Sequence, residues 1–157
     1  MAYRFDSFYI GGAWVKPSTT DVLTLENPAT RAPFATVPDA TPADAVAAIE
    51  AAASALPAWS ATPLAKRVEL MQKALEIFKT YRDEIIRLEA LELGAPVSYS
   101  ANAHCDYQFT RIGSYIRESQ KVVLEEQFEQ STVVREPIGV IACITPWNYP
   151  LGQVVQK

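Results

Sequence analysis

The stretch Ile144-Thr145-Pro146-Trp147-Asn148-Tyr149-Pro150 sets one carboxamide between two aromatic residues and two prolines. An amide N–H carries no charge of its own, so a rigidly held one can stabilise negative charge developing on a reacting oxygen, as in an oxyanion hole. Two readings of these residues stay open. In the first, the prolines end a strand, Asn148 shapes a turn by bonding its side chain to local backbone, and the aromatics fill core. In the second, the prolines and aromatics limit the freedom of Asn148 so that its amide serves as a donor. Position favours the second. Gly139 to Thr145 is apolar on both faces, as a strand of a parallel sheet would be, and a helix is expected to follow. Ligands of open α/β sheets gather at such carboxyl ends.

Other reactive side chains are few. His104 and Cys105 are adjacent, but on a helix neighbouring side chains point about 100° apart, which argues against a nucleophile–base pair. Cys143 lies inside the apolar run and is expected to be a small core residue. The two cysteines are far apart and have no metal-ligand spacing, so no metal site is expected.

The elements that must position Asn148 follow from pattern. Phe8 to Val15 reads as a hairpin around Gly11-Gly12, which can take the positive φ of a tight turn. Val22 to Pro28 and Pro33 to Val37 are strand candidates, with a turn marked at Asn27-Pro28. Thr41-Pro42-Ala43-Asp44 supplies an N-cap hydroxyl, a proline for the first helical position and an early acid. Val46, Ile49, Ala53 and Leu56 follow at helical spacing. Thr62-Pro63 repeats the start signal before a stripe of Leu64, Val68, Met71, Leu75 and Phe78. A third stripe, Tyr81, Ile85, Leu88 and Leu91, runs to a stop at Gly94 and Pro96. A fourth helix is expected over about Val97 to Arg117, burying Phe109, Ile112 and Ile116. Beyond Ser119, Lys121 to Gln127 and Ser131 to Pro137 read as two solvent-facing strands. Leu151 to Lys157 reads as the first turns of a helix. The chain thus stops one strand and half a helix into a βαβ unit, so it is expected to be incomplete.

At 157 residues, with 49% hydrophobic and 20% charged residues, the composition is that of a globular protein. A formal charge of −4, with positive residues dispersed, leaves no footprint for nucleic acid or an anionic membrane. No apolar run approaches the roughly 20 residues of a membrane helix, and the N-terminus lacks the signal-peptide pattern. A reduced, cytoplasmic protein is expected.

Arg135 to Pro150, "REPIGVIACITPWNYP", resembles the strand and asparagine segment of NAD(P)-dependent aldehyde dehydrogenases. Further segments resemble the same family in the same order. They are "FYIGGAWV", "ENPAT", the helical pair running from "ATPADAV" to "ALEIF", and "LEALELGAP". The resemblance is collinear from about residue 7 to 157. It implies an α/β fold, the N-terminal part of a Rossmann-type cofactor domain with a protruding β-arm. The implied divisions are residues 1–118 for the first part of the NAD(P)-binding domain and 119–137 for an oligomerisation arm. Residues 138–157 would be the first parallel strand and helix start of the nucleotide-binding core.

The implied activity is oxidation of an aldehyde to a carboxylic acid with NAD or NADP, through a cysteine thiohemiacetal. Asn148 would be the oxyanion donor and Lys157 a charge or proton relay. Ile144, Thr145, Pro146 and Trp147 would lie beside the cofactor, and Tyr149, Gln153 and Gln156 would line the substrate channel. The family's nucleophilic cysteine, glutamate base and phosphate-binding loop fall in later segments, so these residues alone are expected to be inactive. The implied partners are a small-molecule aldehyde and further copies of the chain, in a dimer or tetramer joined through the arm. Two alternatives stay open: a non-catalytic assembly module that pairs with full-length relatives, and a CoA-acylating relative of the same family.

Overall fold

The computed structural model describes residues 3–157, opening on a short strand β1 (Tyr3–Arg4). Gly11 and Gly12 take φ of 62° and 82°. That left-handed pair lets the chain reverse in two residues. Strands β2 (Phe8–Ile10) and β3 (Ala13–Val15) pair across it, with Tyr9 opposite Trp14. Strands β4 (Val22–Glu26) and β5 (Pro33–Pro38) form a second antiparallel pair. Asn27 closes their turn by accepting the N–H groups of Ala29 and Thr30 on its side-chain oxygen. β1, for which the sequence pattern carries no signal, adds to β5 in parallel.

Helix α1 (Pro42–Ser60) begins as the sequence indicates, with Thr41 and Asp44 exchanging side-chain and backbone hydrogen bonds in a capping box. Its apolar stripe is another matter. Val46 and Ile49 are exposed and no residue of α1 is buried, because the helix meets little beyond β2. The core lies instead among α2 (Leu64–Thr80), α3 (Arg82–Glu92) and the segments after Pro96. Val68 and Leu75 of α2 and Ile86 of α3 pack there, while Met71, also in the expected stripe, is exposed. Thr62 does not cap α2; its hydroxyl donates back to the Ala58 carbonyl.

Gly94 ends the α3 region with φ +75°. A Cβ there would come within 2.7 Å of Pro28, so glycine is required both by its backbone angle and by this close approach. The helical region expected over Val97 to Arg117 divides into α4 (Val97–Tyr99), a π-helical segment (Ser100–Asp106) and α5 (Tyr107–Ser119). The wider π turn carries the adjacent His104 and Cys105 into the interior together. Phe109, Ile112 and Ile116 are buried as anticipated.

Strands β6 (Glu125–Gln127) and β7 (Thr132–Val134) form the expected hairpin in the arm. A correction falls on Gly139 to Thr145. This run joins no sheet in the structure, and Ile144 is 87% exposed. A strand's backbone groups need a paired neighbour, and no described strand runs beside this one. Cys143, expected in the core, is exposed for the same reason. The chain closes on α6 (Pro150–Gln156).

Candidate active site

Asn148 sits two residues before α6, in a bend that irregular chain enters and a proline-started helix leaves. It is exposed, and its side chain makes no hydrogen bond among the described residues. A turn-forming asparagine would bond its own backbone, as Asn27 does. Asn148 keeps its amide unspent. Before it, Trp147 is 79% exposed.

The residues after it are held firmly. The Tyr149 ring lies 4.7 Å from the His104 imidazole, tilted by 41°. Its hydroxyl is 2.8 Å from that of Tyr99. The Tyr99 ring in turn meets His104 edge-on at 5.2 Å. Leu151 and Val155 pack against the core. Gly152 is buried against Gln108, where a Cβ would meet the carboxamide at 3.1 Å. Gln108 is itself fixed, donating to the Ala103 carbonyl.

Behind Tyr149 lies a buried acid. Glu89 of α3 approaches His104, with Oε2 3.2 Å from Nδ1 and both side chains buried. Burial pushes the Glu89 carboxyl up from the ordinary range; the His104 charge and the Leu151 N–H oppose that shift. The contacts are close but imperfectly aligned, since neither Glu89 oxygen nor His104 Nδ1 gains a fully formed hydrogen bond. On the other side of the π segment, Asp106 accepts two hydrogen bonds of 2.7 Å from Arg82. That guanidinium holds the Asp106 carboxyl below its usual range.

Tyr149, Gln153 and Gln156 line one face of an open groove of about 610 Å³. Tyr99, Tyr107 and Arg111 line the same groove. The three anticipated channel residues are therefore brought together. Arg111 bonds the Tyr115 hydroxyl, and among the described residues no carboxylate pairs with its charge. Lys157 is not brought to Asn148. It stands at the far end of α6 and donates to Gln153 at 2.8 Å. Cys105 is fully buried, and its thiol is pushed up to about 11, chiefly by desolvation. That suits an inert core thiol.

Sequence reasoning does not single out Glu89, Tyr99, Gln108 or Arg111. Only Glu89 leaves a signal, an acid on the helical face that also carries Ile85 and Ile86.

The Aldehyde dehydrogenase family model matches residues 14–157. Glutarate-semialdehyde dehydrogenase of Pseudomonas putida is 31% identical over 95% of this chain and 32% of its own length. The NADP(+) succinate-semialdehyde dehydrogenase of Escherichia coli is 29% identical, over 94% of this chain and 32% of its own length. The crystal structure of a Mycobacterium tuberculosis aldehyde dehydrogenase complexed with NAD+ superposes with a TM-score of 0.94 at 33% identity. It is covered for 34% of its length by all of this chain. The chain thus spans about a third of the length of the curated relatives it matches.

Proposed function

This chain belongs to the aldehyde dehydrogenase family, and from that premise we propose that it forms part of an enzyme oxidising small aldehydes to carboxylic acids with NAD or NADP. The observation that carries the reading is the free carboxamide of Asn148, held ahead of α6 with no protein acceptor. Addition of a thiolate to an aldehyde carbon places negative charge on the carbonyl oxygen. The Asn148 N–H donates to that oxygen and stabilises it as it forms. Cys105 is excluded as the nucleophile by its burial and raised pKa. Cys143 has no base within hydrogen-bond reach among the described residues.

The run Ile144 to Trp147 fits a flat, partly apolar cofactor, because Ile144 and Trp147 present bare side chains just ahead of Asn148. NAD(P) bound there would supply the hydride acceptor. Tyr149, Gln153 and Gln156 form a channel wall whose amides and hydroxyl suit a polar aldehyde, and Arg111 in the same groove adds one cation. Both relatives named above are semialdehyde dehydrogenases, which agrees with that polarity. Lys157 serves as a charge relay only if it gives up Gln153, its partner here.

The test is Asn148→Ala in the full-length enzyme. We expect kcat to fall roughly 10²- to 10³-fold, the usual effect of removing one oxyanion donor. The melting temperature should barely move, since no buried partner is orphaned. Normal turnover with a large loss of stability would return Asn148 to the role of turn former.

A further inference from the structure

We propose that the buried Glu89–His104 pair positions Asn148, acting through the residues that follow the asparagine. The inference rests on Asn148 being the oxyanion donor. Restraint on Asn148 is one-sided: ahead of it, Ile144 and Trp147 are exposed. Behind it, Tyr149 is held by one cluster. His104 receives the face of Tyr149 at 4.7 Å, and Tyr99 holds the far end of the same ring through its hydroxyl at 2.8 Å. Glu89 Oε2 stands 3.2 Å from His104 Nδ1, and Leu151 in the first turn of α6 packs against the core that Ile86 of the same helix helps to form. The cluster therefore grips Tyr149 and the core holds Leu151, while Pro150 between them limits the backbone.

Stability alone gives weak reason for a carboxylate at position 89. A buried ion pair is commonly no more stable than apolar residues of equal volume, and this pair is imperfectly aligned. What the pair supplies is direction. The 3.2 Å approach of Glu89 to Nδ1 favours one way for the imidazole to face, and with it the side against which Tyr149 rests, whereas apolar packing tolerates several. An oxyanion donor misplaced by about 1 Å can cost as much as 10²-fold in rate. Glu89 and His104 are thus positioning residues, and neither touches substrate.

The experiment is a mutant cycle in the full-length enzyme, assayed with succinate semialdehyde and saturating cofactor. Glu89→Gln keeps the shape; the double variant Glu89→Met/His104→Phe replaces the pair by apolar groups. Each is made with Asn148 intact and in the Asn148→Ala background. With Asn148 intact we expect kcat to fall roughly tenfold or more for the double variant and less for Glu89→Gln. The melting temperature of the double variant should be unchanged or higher, and KM little altered. In the Asn148→Ala background the same changes should cost less than about twofold, because the group they position is gone. Equal losses in both backgrounds, or no loss in either, would overturn the inference. If the double variant does not fold, Glu89→Gln alone decides by the same comparison. Wild-type kcat in Asn148→Ala itself would remove the oxyanion assignment and this inference with it, an outcome distinct from additive losses.

Discussion

Cys105 and Cys143 show how far a side chain's chemistry depends on its surroundings. Cys105 is enclosed by the π segment and α3, and burial with the neighbouring Asp106 carboxylate pushes its thiol up to about 11. Cys143 is exposed. Labelling of residues 1–157 with a maleimide near pH 7 should therefore modify Cys143 quickly, and Cys105 only as the chain opens. Two fast thiols would contradict the packing around the π segment. At this scale the sequence is only partly legible. Asn148 stands out because prolines and aromatics bracket it. Cys143 reads as core since an apolar run implies burial, but side-chain type cannot say whether a neighbouring strand is present to cover it. His104 presents itself only as the neighbour of Cys105. Its actual partners, Glu89 and Tyr149, lie on other elements, and no local pattern encodes such a meeting.

At the scale of elements, α3 and the π segment are tied by Arg82 and Asp106. The Asp106 pKa is lowered, first by the hydrogen bond from Arg82. A depressed carboxyl contributes stability above its unfolded-state pKa, and that contribution is lost as pH falls through the folded-state value. Asp106→Asn should thus lower the melting temperature at neutral pH and converge with the parent in acid below the normal carboxylate range. Both groups are more than a third exposed, so the effect will be modest and salt will reduce it further. A variant that is less stable by the same margin at every pH would place the contribution in packing. Helix boundaries were legible wherever capping chemistry marks them, at Thr41 and at Gly94. The π segment was not. Its seven residues, Ser-Ala-Asn-Ala-His-Cys-Asp, are of mixed helix propensity and carry no pattern that tells a π turn from an α turn; what accompanies the widening is burial of Ser100, His104 and Cys105 against α3 and α6.

For the molecule as a whole, no described helix is long and apolar enough to cross a membrane, and the arm leaves apolar side chains uncovered. Val133 and Val134 of β7 and Phe128 in its turn are exposed, and the two-stranded sheet leaves both edges open. Open edges invite pairing, so we propose that another copy of the chain covers them. Val133→Lys in the full-length enzyme should shift sedimentation toward smaller species, and an unchanged distribution would take the arm out of assembly. The overall plan was legible from hairpins, stripes and stops taken in order. Packing of α1 was not: its stripe satisfies every helical rule and is still uncovered, since a sequence pattern specifies which face is apolar but not what lies against it.

The contact between Gly94 and Pro28 has an evolutionary reading. These positions belong to separate turns, one closing α3 and one joining β4 to β5, and a Cβ at 94 would come within 2.7 Å of the proline ring. A smaller residue at 28 would clear that space. It would not free position 94, where φ of +75° penalises every L side chain whatever stands opposite. The dependence therefore runs one way. Position 28 can drift among residues of short reach while glycine is kept, and no compensating change at 28 opens 94 to another residue. Descendants of this chain should vary first at the turn and last at the helix stop.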